Sequence, residues 1–442
     1  MTSVAQHRLS VYARLSCVVL AIVASATPRL LAQQGSVRRD DQLIYAVYLT
    51  RHGVRSPTAT SEQYNQFSSS PWPTWNVPPG YLTPHGYELM KLFGIYDRER
   101  LARLNLIKPA GCEDASHVAI HADSDQRTRE TAKALAEGMF PGCRITIHSQ
   151  KEGTNDPLFH LLPGSISPAE GTLGASAVLA RIGDDLSEIT RAHQVQLAAL
   201  DSLLATCGAS DPAHVRTSIF DIPASVSSGQ GDHIVNLRGP LNTAGTLTEN
   251  FLLEYTQAMP ARDVGWGCIN GKQLRDLINL HTDAADLAQR TPAVAVPQAS
   301  QLLRVIHRSI QQAITGKATP GSEGRPGDKV LLLVGHDTNL LNVAGALNLN
   351  WWLDGRRDDT PPGSSLVFEV WKNRVSGAYS IRVFFTSQTL EQMRNASPLT
   401  EKNPPPKTIV SVRMCSRKQE GYDLSCFAHA LERASSVRHP SS

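Results

Sequence analysis

The 442-residue chain has no strong charge of either sign, no low-complexity tract and no apolar run long enough to span a bilayer. Its most sustained apolar stretch, residues 15–26, contains 12 residues, against about 20 for a spanning helix. His7, Arg8 and Arg14 precede it, and Ala24-Ser25-Ala26 or Ala32 offers a small-residue cleavage site, so residues 1–32 read as a secretory signal rather than a membrane anchor. Cys17 lies in this segment, but Arg14 three places before it is wrong for a lipoprotein signal. The formal net charge is only +3, and the signal holds Arg8, Arg14 and Arg29 with no acid, which leaves the remainder neutral. Bulk charge therefore gives no reason to expect nucleic acid or an anionic membrane as partner, and any anion site must be a local cluster. There is no Cys-x-x-Cys pair of the kind that binds zinc. After Cys17 six cysteines remain, an even number that suggests disulfides in an exported chain, although six allow 15 connectivities. Cys415 and Cys426 are close in sequence, Cys112 and Cys143 bracket one strand-loop-helix unit, and Cys207 with Cys268 follows only by elimination.

What is present is globular: 41% hydrophobic and 19% charged residues, over a length that suits one large or two ordinary domains. The chain is organised around Arg51-His52-Gly53-Val54-Arg55-Ser56-Pro57. The apolar run 43–49 before it predicts a buried strand, and Gly53 and Pro57 end regular structure. A histidine between two arginines thus stands where a strand opens into a loop, the place where open α/β sheets bind ligands. Arg51 and Arg55 carry permanent charge and fork-shaped donors for phosphate or carboxylate oxygens. Their field disfavours a protonated imidazole, so His52 should stay neutral and nucleophilic to lower pH than a free histidine.

Further along, 68–80 reads as an irregular excursion in which Trp72 and Trp75 pack the loop down or line a pocket mouth. Thr83 and Pro84 predict the cap and first turn of a helix through Leu92. A strand over 117–122 leads to Asp123-Ser124-Asp125-Gln126-Arg127-Thr128-Arg129, with Ser124 or Asp125 as cap and Arg127 in the first turn of a helix reaching Met139. A short strand over 144–148 follows. Helical spacing dominates 168–206, 243–259, 270–289 and 297–315, with loops such as 223–231 between them. Residues 165–316 therefore read as a helical subdomain inserted between two parts of an α/β domain, 33–164 and 317–442. The sheet resumes at 329–335, directly followed by His336-Asp337-Thr338-Asn339, and two more strands are expected over 365–371 and 379–386. Pro404-Pro405-Pro406 forms a stiff link to a last strand near Cys415.

Three polar clusters, Arg51/His52/Arg55, Arg127 and His336/Asp337, thus fall at the ends of three predicted strands. Together they supply what metal-free phosphomonoester hydrolysis needs: a nucleophile, cations for the transferring group, and an acid for the leaving alkoxide. These motifs resemble those of the histidine acid phosphatases, in particular the exported bacterial branch with periplasmic phytases and glucose-1-phosphate phosphatases. Arg51-His52-Gly53-Val54-Arg55-Ser56-Pro57 matches the signature, Gly335-His336-Asp337-Thr338-Asn339-Leu340 the His-Asp motif, and Asp125-Gln126-Arg127-Thr128-Arg129 the segment of the third arginine. The likeness continues through Trp351, Thr360-Pro361-Pro362-Gly363, Leu366-Val367-Phe368-Glu369 and Gln388-Thr389-Leu390-Glu391-Gln392-Met393-Arg394.

The resemblance implies an α/β fold, a mostly parallel central sheet with flanking helices of the phosphoglycerate-mutase type plus the helical insertion. It implies that His52 is phosphorylated, that Arg51, Arg55, Arg127 and His336 hold the phosphate oxygens, and that Asp337 protonates the leaving group. No metal and no cofactor is implied, and the partner is a small phosphomonoester. Thr58, Thr338 and Leu247-Thr248-Glu249 look like the phytase side, with Glu249 reaching substrate. Ala59, where phytases of this branch often carry lysine, and Gly239-Pro240-Leu241 look more like the glucose-phosphate enzymes. The reading is a phytase or broad acid phosphatase, with a glucose-1-phosphate or other sugar-phosphate phosphatase as the alternative. A phosphoglycerate-mutase-like enzyme would usually carry an acid where Val54 stands. A non-catalytic phosphate-binding protein would be expected to lack His52 or Asp337, and a metal-dependent phosphatase would lose activity in chelator.

Overall fold

The computed structural model describes residues 40–162, 164–208, 214–418 and 421–436. Residues 1–32, expected as a signal, lie outside them. The first strand, β1 (Asp41–Arg51), is buried along nearly its whole length because it runs through the middle of a nine-stranded sheet. Its neighbours are parallel β3 (Val330–Gly335) on one side and antiparallel β4 (Ser365–Asn373) on the other; β2 (Val118–Ala122) pairs in parallel with β3, and Ile147–His148 in parallel with β2. Beyond β4 come β5 (Tyr379–Thr386), Gly421–Asp423 and Arg417–Lys418, all antiparallel, and Lys407–Ile409 also pairs with β5. The parallel set carries the site; the antiparallel strands widen the sheet away from it.

Side-chain parity explains how β1 serves two cores. Leu43, Ala46 and Tyr48 face one hydrophobic cluster, with Met90 and Phe93 of α1 (Pro84–Arg103) and Ala132, Leu135 and Met139 of α2 (Gln126–Met139). Tyr45, Val47 and Leu49 face the other, with residues of α5 (Pro292–Thr315), α6 (Asp337–Leu347) and α7 (Leu424–Ser435). Leu43 shares a face with Ala46 because the register shifts between Leu43 and Tyr45, a bulge that reverses the alternation. Helices therefore cover both faces, as an α/β sheet requires.

Between Ile147–His148 and β3 the chain is largely helical, including α3 (Pro240–Thr256) and α4 (Asn279–Arg290). The helical spacing expected over 168–206 is borne by three helices, Pro168–Arg181, Leu186–Ala192 and Gln194–Thr206. The segment expected as a loop, 223–231, holds one arm of a hairpin, Ser225–Ser228 with Val235–Arg238, and that first, serine-rich arm conceals the strand pattern. The expected strand over 144–148 shrinks to two residues, while α1 runs on past Leu92 to Arg103. Thr83 caps α1 as read, its Oγ1 accepting from Gly86 N at 2.9 Å. Trp72 packs the 68–80 loop down, stacking on Phe251 of α3 at 4.8 Å between ring centroids. Three cysteine pairs stand at disulfide distance, Cys112–Cys143, Cys207–Cys268 and Cys415–Cys426, with Cα separations of 5.5, 6.2 and 5.8 Å. Among the described residues no helix is long and apolar enough to cross a membrane.

Candidate active site

Strand register brings the motifs together. Arg51 pairs with Gly335 and Ala122 with Val334, so β1, β3 and β2 end level with one another. The residues that follow, His52, His336 and Asp123, emerge side by side, tied by His52 N to Gly335 O and Asp123 N to Val334 O, both 2.9 Å. Gly335 has to be glycine: a Cβ there would lie 2.5 Å from Asn339 Oδ1 and 2.8 Å from the Phe159 ring. Gly53 allows α1 to pack against the loop, since a Cβ would meet Met90 Cγ at 2.8 Å and Gly86 O at 3.0 Å. The Gly53 N–H donates to Thr131 Oγ1 of α2, and the His52 carbonyl accepts from Gly363 N, each at 2.9 Å. The Thr360-Pro361-Pro362-Gly363 segment thus braces the loop that carries His52.

His52 is buried, and its Nδ1 lies 2.9 Å from the Gly53 carbonyl. A carbonyl oxygen only accepts, so Nδ1 carries the proton and Nε2 holds the lone pair. Burial, together with Arg127, Arg51, Arg55 and His336, holds the imidazole well below the usual histidine range. The expectation of a neutral ring agrees with this, although desolvation contributes more than any single arginine.

Arg51 is fully buried; it donates through Nη1 to Thr360 O at 2.5 Å and through Nη2 to Glu249 Oε1, and the same Nη2 lies 3.3 Å from Asp337 Oδ2. Arg55 Nη2 reaches both oxygens of Glu249 at 3.4 Å. Glu249, on α3, is therefore the counter-charge of two arginines. Those arginines hold its carboxyl well below the usual range against the opposing effect of burial. Arg127 Nη2 pairs with Asp125 Oδ2 at 2.5 Å and donates to His336 Nδ1 at 3.4 Å. The Nε–H groups of Arg51, Arg55 and Arg127 are buried without an acceptor among the described residues. Such donors are costly unless an anion takes them up, and three in one place are what an oxyanion can use.

Asp337 opens α6, and its Oδ1 accepts from Thr338 N at 2.9 Å at the positive end of the helix. Burial, the largest single influence, and the neighbouring Glu249 raise its pKa, but Arg51, His281 and Arg55 together outweigh them and the net shift is downward. His336 donates from Nε2 to Asp123 Oδ2 at 2.5 Å, leaving Nδ1 for Arg127. Glu249, Asp337 and Thr338 line a cavity of about 160 Å³ with His281, Asn242 and Thr246. Thr58 stays apart, exposed at the rim beyond Gly80, whose carbonyl accepts from Arg127 Nη1.

The sequence reading did not single out Asp123, His160, Asp232 or His281. Asp123 had a signal, being the first residue after β2 just as His52 and His336 follow β1 and β3. The other three occupy loops or a helix face with no motif around them. Two trios, Asp123/His160/His336 and Glu249/His281/Asp337, have ligand-capable atoms within 4.8 Å of one another. In the first these atoms are joined by hydrogen bonds; in the second both carboxylates lie on Arg51.

An electrophilic group carrying three or four oxygens would find here a neutral nitrogen nucleophile, three guanidinium groups and a carboxyl group poised beside one of them. Arg127→Ala should raise the inhibition constant for inorganic phosphate about 10- to 100-fold, the worth of a charge-assisted hydrogen bond, as measured by competition against a chromogenic ester. Unchanged inhibition would make Arg127 an ordinary partner of Asp125.

Comparison with known proteins gives consistent results. The family model described as histidine phosphatase superfamily (branch 2) matches residues 42–202 and 213–386. The chain is 36% identical to phytase AppA of Escherichia coli K12 over 384 residues, covering 84% of this chain and 87% of that protein. It is 29% identical over 386 residues to a glucose-1-phosphatase of Salmonella typhimurium LT2, covering 86% and 89%. Among solved structures, a Hafnia alvei phytase in complex with tartrate superposes with a TM-score of 0.82 at 33% identity, covering 90% of this chain and 98% of that one.

Proposed function

The chain belongs to the histidine phosphatase superfamily, branch 2, and is a phosphoric monoester hydrolase; we propose that it works through a phosphohistidine on His52 and acts on inositol phosphates. The observation that carries this reading is the state of His52. Its Nδ1–H is committed to the Gly53 carbonyl, its Nε2 lone pair is free, and burial and three arginines hold its pKa well below the usual histidine range.

In the first half-reaction the Nε2 lone pair forms a bond to phosphorus as the ester P–O bond breaks. Arg51, Arg55, Arg127 and His336 take the three peripheral oxygens, where charge is spread in the transition state. Asp337, entering as the carboxylic acid, gives its proton to the departing alkoxide. In the second half-reaction water attacks the same phosphorus and its proton returns to Asp337, the P–N bond breaks, and inorganic phosphate leaves neutral His52 behind. No metal is needed for charge neutralisation, because the guanidinium groups supply it. Glu249 sits on Arg51 and Arg55 in the free site, so it is a group that substrate phosphate has to displace or share.

For substrate, the greater identity to a protein named phytase than to one named glucose-1-phosphatase supports inositol hexakisphosphate as the preferred ester. Thr58 at the rim and Thr338 and Glu249 in the adjoining cavity are the positions proposed to meet its other phosphates and ring hydroxyls. Export under the direction of residues 1–32 is part of the same proposal. Purified protein should turn over inositol hexakisphosphate with a kcat/KM at least about tenfold above that for glucose 1-phosphate. The reverse order would favour the sugar-phosphate reading. Tight phosphate binding without turnover of any ester would favour a binding protein.

A further inference from the structure

His336 meets the phosphate site with one nitrogen and Asp123 with the other, and behind Asp123 the alternation of acid and imidazole continues. Asp123 Oδ2 accepts from His336 Nε2 at 2.5 Å and from His160 Nε2 at 2.9 Å. His160 Nδ1 in turn donates to Asp232 Oδ2 at 2.9 Å. Asp123 is fully buried, and the rings of His160 and His336 stand 5.4 Å apart between centroids. His160 comes from the loop after Ile147–His148, and Asp232 from the turn of the hairpin in the helical segment. Nothing in the motifs required these two to meet behind the site.

We propose that His160, anchored by Asp232, is a positioning residue that acts through Asp123 on His336, fixing which nitrogen faces the phosphate and setting the pH at which that nitrogen gains a proton. This rests on the phosphatase reading above. A carboxylate oxygen can only accept, so each contact along the chain demands an N–H on the histidine. His336 therefore carries its proton on Nε2, and its Nδ1 lone pair receives Arg127. A phosphate oxygen is also an acceptor, so Nδ1 can hold it only once the ring is an imidazolium.

The groups around His336 oppose one another over that second proton. Asp123 favours it, as does Asp125 with Oδ2 at 3.7 Å from Nε2. Arg127 disfavours it, as does burial, and the His52 ring lies 5.6 Å away between centroids. His160 adds a further cation. Burial opposes its charge, but hydrogen bonds to Asp123 and Asp232 overcome this and push it up to about 10. Around His160 itself stand Asp123, Asp232 with His233 at 3.5 Å from the latter, and Glu170 and Arg304 on the wall of the adjoining cavity. A protonated His160 shares the charge of Asp123, so less of it acts on His336. The ring of His336 stays neutral in the empty site and takes up its second proton when the phosphate charge arrives. The pair His160–Asp232 thereby couples protonation of His336 to occupancy.

The test is inhibition of ester hydrolysis by inorganic phosphate across an acid-to-neutral pH series, taken as the difference between variant and wild type so that the titration of phosphate itself cancels. His160→Gln keeps an N–H for Asp123 without a charge. It should move the pH above which phosphate binding weakens upward by roughly one unit, the size expected for losing a nearby like charge. Asp232→Asn, at a half-buried position, should move it the same way by less. Circular dichroism and thermal melting establish that each variant is folded, and Asp232→Asn carries the test if His160→Gln is not. A folded variant whose pH dependence overlays the wild type, or moves downward, overturns the proposal and leaves His160 a structural residue. Failure of the wild-type protein to hydrolyse any phosphomonoester would instead strike at the phosphatase reading, so the two failures are distinguishable.

Discussion

His52→Ala should lower kcat for every phosphomonoester by on the order of 10⁴- to 10⁶-fold, the scale of loss when a covalent nucleophile is deleted. The same variant should give no acid-labile phosphoprotein when turnover is quenched. Both follow from one geometric fact: with Nδ1–H donating to the Gly53 carbonyl, the ring offers its in-plane lone pair on Nε2, and the alanine has nothing in its place. The substitution is also informative about folding, because the ties of His52 to distant segments run through its backbone, its N–H to Gly335 O and its carbonyl to Gly363 N, while the hydrogen bond of its ring goes only to the adjacent Gly53 carbonyl. The backbone ties survive truncation, so the variant should melt near the wild type while being inert. A trapped covalent phosphoenzyme in His52→Ala would reject the assignment and move the search to His336.

Asp337→Asn should cost about 10² to 10⁴ in kcat on alkyl phosphates and far less on aryl esters with an acidic leaving group. The asparagine keeps the size of the side chain and cannot give a proton to an alkoxide. The pH dependence has a definite sign. Against burial, Arg51 with His281 and Arg55 holds the Asp337 carboxyl below the ordinary range, so the free enzyme has it largely ionised and the proton-loaded fraction grows as pH falls. Turnover of alkyl esters by the wild type should therefore rise toward acid. His52, itself held well below the usual histidine range, resists protonation as pH falls. In Asp337→Asn this rise should vanish for alkyl esters. Equal losses on alkyl and aryl esters would sink the proton-donor role, and would point to the lost ion pair with Arg51 as the cause.

Much of the fold and of the site was legible in the sequence because the signals were local. An apolar run ending in Arg-His-Gly, another ending in Gly-His-Asp, and a strand followed by a capped helix with Arg127 each describe a strand giving way to a functional turn. Chemistry needing permanent cations and imidazoles at such turns leaves few alternatives. Boundaries were less legible: α1 continues a further eleven residues beyond Leu92, and the serine-rich hairpin arm at Ser225–Ser228 has no apolar alternation. Where tertiary packing supplies most of the stability, local preference says little about where an element stops.

From its sequence alone this protein had the strands around the site, its family signature and the residues proposed as nucleophile and phosphate-binding arginines, because each depends on residue types within a few positions of one another. Only the tertiary structure decided which nitrogen of His52 is free, that Glu249 occupies the arginines, and that His160 and Asp232 stand behind Asp123. Hydrogen-bond partners and the charges that shift a proton are set by distances between groups dozens to hundreds of residues apart. They exist only once the sheet has aligned its strand ends and the helical segment has closed over them.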